Sequence, residues 1–301
     1  MEIWIPITFA AAFLQNLRSA LQKHLKGAMG TTGATFVRFG FGVPFAVLLV
    51  VALHHGAGHP LPVPNARFAL WVVVGGLAQI AGTALLIHLL SYRNFIVGTA
   101  YSRTEPVLAA VFGLVFLGEN AGMATFLAIG VTVAGVMLIS VARTAVSAAA
   151  LVTSLGSPTA LIGLLSGAAF GTAAVAYRAA SLSLGAPGYL MQAAFTLLAT
   201  IVLQTLVMLA WMAWRERGEL ARIASAWKIA LVVGLVGATA SFGWFAAMTL
   251  QQAAVVKAVA QVEMIFTYIS AVFFFREQVT PLELAGCALI VAGIVGLLLF
   301  G

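Results

Sequence analysis

Of the 301 residues, 62% are hydrophobic and only 8% are charged, a composition that excludes an ordinary soluble domain and requires a polytopic membrane protein. The formal net charge of +7 comes without a basic arm or cluster, so it marks no nucleic-acid partner. Cys287 is the single cysteine, which rules out a disulfide within the chain. The N-terminus has no basic stretch leading to a small-residue cleavage site, so no removable signal peptide is expected.

A hydrocarbon core about 30 Å thick takes about 20 apolar residues per helix. On that length the sequence predicts ten spans, at roughly 4–24, 32–54, 67–90, 94–117, 121–142, 159–181, 188–213, 227–249, 252–275 and 280–300. The apolar runs are continuous, whereas barrel strands would alternate over about ten residues, so the expected class is an all-α membrane protein. Breakers separate the spans: the Pro-rich His54–Asn65 stretch, Gly118-Glu119-Asn120, Gly156-Ser157-Pro158, Gly185–Gly188 and Thr280-Pro281. The weakly apolar segment 144–158 divides a first five-helix repeat, 1–143, from a second, 159–301. On the sixth span Gly163, Gly167 and Gly171 stand four apart and form a small-residue seam for close helix packing, with substrate passage as the competing reading.

The halves are duplicated. Moving Ser91–Glu119 by 158 positions places it, without a gap, on Thr249–Glu277, with Val97 on Val255, Ala100 on Ala258, Glu105 on Glu263, Phe116 on Phe274 and Glu119 on Glu277. Beyond it, Val133-Ala134-Gly135 falls on Val291-Ala292-Gly293. An odd number of spans per copy makes the second copy enter the membrane from the opposite side, so the expected architecture is two inverted five-helix repeats with a polar site near mid-membrane.

Ionisable side chains inside spans are functional candidates. Here they are Arg18, Arg38, His88, Arg103, Glu105, Arg178, Lys257 and Glu263. Thr99 and Arg103 share one helix face, as do their partners Lys257 and Gln261, so each repeat supplies a cation at opposite ends of the same stripe. Glu105 lies about 200° around the helix from Arg103, so the two do not share a face. Tyr101, Ser102 and Ala109 accompany Glu105, whereas Val259, Thr267 and Ser270 accompany Glu263. Three readings stand for the two acids: ion pairs with Arg38 or with the other half's cation, proton coupling, and recognition of a cationic group. A carboxylate desolvated at that depth is stabilised in its neutral form, which suits proton binding and release.

Arg103 and Lys257 either pair with Glu263 and Glu105 or bind an anionic group of the substrate. The deep cations outnumber the deep acids, which favours a carboxylate or phosphate on the substrate. The expected substrate-binding set is Arg38, Thr99, Tyr101, Arg103, Trp244, Lys257 and Gln261, and the expected proton-coupling pair is Glu105 and Glu263. Glu119 and Glu277 precede the fifth and tenth spans and are read as favouring helix N-termini. His54, His55 and His59 are irregularly spaced with no cysteine, so no metal is expected.

The sequence resembles the drug/metabolite transporter superfamily in its ten-helix EamA-type branch. The resemblance rests on Pro106-Val107 through Leu117-Gly118-Glu119, followed by Gly130 and Gly135-Val136. It rests equally on Phe275-Arg276-Glu277 leading to Gly286 and Gly293-Ile294, and on Val37-Arg38-Phe39 in the second span. It implies transport of amino acids, sugars, nucleotide precursors or drugs, and both termini in the cytoplasm. Glu105 and Glu263 are not part of that pattern. The positive-inside rule, applied to Lys23, Lys26, Arg93, Arg143, Arg215, Arg217, Arg222, Lys228 and Arg276, instead turns the termini away from the cytoplasm.

The expectation is a multi-pass protein of the bacterial inner membrane. It acts as a monomer and moves a small polar metabolite, amino-acid-like or anionic, by alternating access linked to protons. Its expected partners are that solute, membrane lipids and protons, with no nucleic acid and no cofactor. A lipid or amphiphile flippase on the same fold is the alternative. A membrane enzyme would need a motif such as HExxH or GxSxG, and neither occurs.

Overall fold

The structure, a computed structural model, describes residues 2–25, 28–89, 92, 95–120, 122–142, 156–185, 188–266 and 280–300. Among these residues every regular element is helical and no strand occurs. Eight helical stretches are long and apolar enough to cross a membrane: Thr31–Gly56, Ala66–Leu89, Gly98–Leu117, Met123–Ala142, Pro158–Ser183, Tyr189–Arg215, Trp227–Leu250 and Pro281–Phe300. Two further predicted spans stand outside those eight. The first is the Trp4–Leu25 helix, diluted by Gln15, Asn16, Arg18 and Gln22. The other opens with Ala253–Val259 and a helical turn at 262–266, and its remainder lies outside the described residues. Phe274, Arg276 and Glu277 lie outside them too, as do Lys26, Arg93, Arg143, Thr267, Ser270 and most of the connector.

The described chain packs as two compact units, Met1–Gly76 with Tyr177–Leu250 and Leu77–Ala176 with Gln251–Gly301. These units are not the sequence halves, because each draws on both. In the first unit the Trp4–Leu25 helix packs on Trp227–Leu250. Gly243 lets Ala11 approach, and buried Trp244 donates its indole N–H to Gln15 Oε1 at 3.1 Å. Loops close the unit at both ends. At one end buried Glu219 accepts from the Gly30 N–H at 2.8 Å and pairs with Arg222, while Thr32 Oγ1 donates to Glu216 at 3.1 Å. At the other, Asn65 Nδ2 donates to the Ser183 carbonyl at 2.7 Å while its Oδ1 caps the Phe68 N–H at 2.8 Å. The turn after Leu25 and the turn after Arg215 thus share one end, as short connections between successive spans require.

In the second unit Met123–Ala142 packs on Pro281–Phe300. A Cβ on Gly135 would come within 2.6 Å of the Gly286 carbonyl, and one on Gly293 within 2.8 Å of the Ala128 carbonyl. Only glycine allows this approach. The contact is reciprocal under the 158-residue shift: Gly135 meets Gly286 and Ile290, while its counterpart Gly293 meets Ala128 and Thr132. The two helices run antiparallel, since Gly296 lies by Ala128 and Gly286 by Ile139. Equivalent helices that meet reciprocally and head in opposite directions are related by a local two-fold, as an inverted repeat demands.

The tenth span starts with a device the sequence reading passed over. Thr280 and Glu283 form a capping box: the Thr280 N–H donates to Glu283 Oε2 at 2.9 Å and the Glu283 N–H to Thr280 Oγ1 at 3.3 Å. The Thr-x-x-Glu spacing was the signal. Glu119 stands ahead of the Met123 helix start, and its carboxylate lies against Gly113, at the close of the preceding span. The positive φ of 66° at Gly118 turns the chain back and makes this possible.

Candidate functional site

Two of the helices in the second unit are interrupted at equivalent positions. One runs Phe95–Ser102, breaks, and resumes as Glu105–Phe112. The other runs Ala253–Val259, breaks, and resumes at 262–266. The break after Ser102 has a local cause: Pro106 has no N–H to offer the Ser102 carbonyl, and its ring crowds that turn. The second break has Met264 at the corresponding position and no such cause.

Both breaks tighten in the same way. The Arg103 N–H turns to the Ala100 carbonyl at 3.1 Å, and its counterpart Gln261 N–H turns to the Ala258 carbonyl at 3.1 Å. These shorter turns take the usual donor from the carbonyls of Thr99 and Lys257, which are equivalent residues. Side chains replace it: Ser102 Oγ donates to Thr99 O at 2.7 Å, and Gln261 Nε2 to Lys257 O at 3.3 Å. Thr104 Oγ1 similarly donates to Tyr101 O at 2.7 Å. Irregular backbone at this depth is tolerable when its polar groups are satisfied like this.

The breaks also sort the charges. Glu105 opens its half-helix and Glu263 lies in the first turn of its own, where the exposed N–H groups favour a carboxylate. Arg103 follows the last residue of Phe95–Ser102, and Lys257 stands in the last turn of Ala253–Val259, where a cation is favoured. Each acid then pairs with the base of the other repeat. Arg103 Nη1 lies 2.7 Å from Glu263 Oε1, and Lys257 Nζ lies 2.9 Å from Glu105 Oε1. The acids are the more enclosed partners, at 15% and 18% side-chain exposure against 32% for Arg103 and 22% for Lys257.

The sixth span presses against the first break. A Cβ on Gly167 would meet the Ser102 carbonyl at 3.0 Å, one on Gly171 the Ala109 nitrogen at 3.0 Å, and one on Gly163 would collide with the Gly98 carbonyl. The glycine stripe is therefore a packing seam along the interrupted helix.

Of the sequence-predicted residues, this arrangement gathers Thr99, Arg103, Glu105, Lys257, Gln261 and Glu263. Tyr101, on the same helix, is 5% exposed and sits in a core cluster with Ala100, Val141 and Ala160. Arg38 and Trp244 belong to the first unit. There the Arg38 guanidinium lies 4.6 Å from the Phe39 ring centroid. The acids' ion-pair partners are thus the other half's cations and not Arg38.

Sequence reasoning missed the carbonyl-capping role of Ser102 and Thr104. It also missed a buried polar cluster in the first unit: Tyr177 donates to the Gly75 carbonyl at 3.0 Å, accepts from Gln204 Nε2 at 3.3 Å and stacks on Phe245. A glutamine and a tyrosine inside apolar spans were the available signal. Arg178, noted only as ionisable, donates Nη1 to the Met248 and Thr249 carbonyls at 2.6 and 3.2 Å and caps the Trp227–Leu250 helix.

A duplicated helical membrane bundle with interrupted helices that carry charge at their broken ends has the architecture of a transporter. The family comparison agrees. The EamA-like transporter family matches the chain twice, over residues 2–141 and 157–299, and the chain belongs to that family. It is a multi-pass membrane protein with the fold of those transporters. A solved crystal structure is similar over 99% of this chain and 96% of its own, with a TM-score of 0.72 at 20% identity, a likeness of fold alone. No curated protein matches.

Proposed function

We propose that this protein is a ten-helix secondary transporter of the bacterial inner membrane. In this reading it works as a monomer by alternating access and moves a small polar metabolite, linked to protons carried by Glu105 and Glu263. The observation behind this reading is the crossed pairing of Arg103 with Glu263 and Lys257 with Glu105 at the two helix breaks. Each carboxylate has its counter-charge on the other repeat, so the pair holds only while the two helices face each other. Any step that parts Glu105 from Lys257 leaves an enclosed acid without its cation, which favours protonation. Restoring the contact favours release. Proton uptake and helix movement are thereby coupled through one distance.

Thr99, Gln261 and the two bases would meet the solute beside the breaks. The test is uptake by reconstituted vesicles of a radiolabelled panel of amino acids, organic acids and sugar phosphates, with and without a pH gradient. Gradient-driven uptake should disappear in Glu105→Gln with Glu263→Gln, while solute exchange at equal pH continues. Gradient-driven uptake that survives both substitutions removes the proton role. Movement of a fluorescent phospholipid with no solute uptake would replace the reading with a flippase.

A further inference from the structure

Membrane-depth charge is unevenly spent. Five cations, Arg18, Arg38, Arg103, Arg178 and Lys257, stand inside spans with two carboxylates, Glu105 and Glu263, so positive charge is in excess there. Both carboxylates lie within hydrogen-bonding distance of a base in the second unit. Arg38, in the first unit, has neither as an ion-pair partner.

The surroundings of Arg38 are specific. It stands in the last turn of Thr31–Gly40, half-buried, and Phe39 covers one face of its guanidinium at 4.6 Å. Among the described residues no side chain or carbonyl accepts from the guanidinium N–H groups. Arg178, on another helix of the same unit, by contrast gives its N–H groups to two carbonyls. Arg18 comes alongside. Gly237 separates the two arginine stems, and a Cβ there would lie 3.3 Å from Arg18 Cδ and 3.7 Å from Arg38 Cβ. The Tyr177 hydroxyl nearby is held by the Gly75 carbonyl and Gln204 Nε2.

We infer that Arg38, with Arg18 beside it across Gly237, forms a binding site for a single carboxylate or phosphate group. A guanidinium in a low-dielectric setting is strongly favoured by an acceptor for its fork, and a carboxylate or phosphate matches that fork with two parallel hydrogen bonds. The Arg18 stem meets the same Gly237, so a second cation in this neighbourhood adds to the positive potential. The inference rests on the transport reading only in giving the transported solute an anionic group. A purely structural Arg38 would serve the C-terminal dipole of Thr31–Gly40 and would need no anion.

The experiment is thermal unfolding of the purified full chain in neutral detergent, titrated with inorganic phosphate or acetate against chloride at matched ionic strength. Wild type should show a saturable rise in Tm. The rise should be about tenfold weaker in affinity for Arg18→Gln, absent for Arg38→Gln, and unchanged for Arg67→Gln, an exposed arginine. The tenfold figure corresponds to losing one favourable charge interaction of about 1.4 kcal/mol. If Arg38→Gln fails to fold, Arg38→Lys decides, because it keeps the charge and the dipole complement but loses the fork. Its anion-free Tm should hold while its anion response falls. Equal responses in wild type and Arg38→Lys, or a non-saturating rise in all variants, would mean an adventitious ion only and overturn the site. A parallel arm with phosphatidylglycerol in the micelle separates a lipid head group from a free anion, and saturation by either supports the site. Anion binding without solute flux in vesicles would sink the transport reading and leave this one. Flux without an anion response would do the reverse.

Discussion

Lys257 Nζ lies 2.9 Å from Glu105 Oε1, joining the base that closes one half-helix to the acid that opens the other. Arg103 and Glu263 repeat the relationship in the opposite sense at 2.7 Å. The two pairs tie the duplicated segments together at the places where both helices are broken.

Breaking one of these pairs should cost more than a surface bridge and less than a fully buried one. Loss of one partner costs about 3–5 kcal/mol when buried and about 0–1 kcal/mol for an exposed pair. With Arg103 at 32% exposure and Glu263 at 15%, Arg103→Met should destabilise by about 2 kcal/mol, between those limits. The swap Arg103→Glu with Glu263→Arg should recover part of that loss. Thermal unfolding of the two singles and the double measures the coupling, and strict additivity would show that the contact contributes nothing.

The second pair allows a different comparison. Replacing both Lys257 by Met and Glu105 by Gln should be less damaging than Lys257→Met alone, because the single change strands an enclosed carboxylate. Detergent unfolding curves decide it. A double variant less stable than the single would mean that these residues hold the helices by packing and not by charge.

Glycine position should decide tolerance along the helices. Gly163→Ala drives a methyl into the Gly98 backbone and should destabilise by about 1–3 kcal/mol, the usual range for overpacking. Gly130→Ala, with nothing within 4 Å of the added carbon, should be neutral or stabilising by up to about 1 kcal/mol. Yield of monodisperse protein and Tm read both. Equal behaviour of the two variants would contradict the close approach of the sixth span to the fourth.

Pro106→Ala restores an N–H opposite the Ser102 carbonyl and removes the cause of the first break. The variant should keep its fold, since alanine suits a helix interior better by about 3 kcal/mol than proline. Solute flux in vesicles should fall, because a continuous helix carries Glu105 away from the half-helix terminus that favours its charge. Undiminished flux would show that the interruption has no part in transport.

Much of this was legible from residue order alone. Apolar run length fixes helices of membrane-spanning size, and the 158-residue repeat fixes which residues must be equivalent, because both are properties of the chain and not of its packing. The Thr99/Arg103 and Lys257/Gln261 stripes likewise follow from 3.6 residues per turn. What remained open were choices among partners. Composition offered Arg38, Arg103 and Lys257 equally to Glu105 and Glu263. The selection came from two helix breaks that bring termini of opposite polarity face to face, and one of these has no proline to announce it. The glycine seam could have lined a path or a contact until its neighbour proved to be the backbone of Gly98, Ser102 and Ala109. Local sequence sets what each segment can become, whereas charge pairing is a long-range energy that depends on distance and enclosure, and only the folded arrangement supplies those.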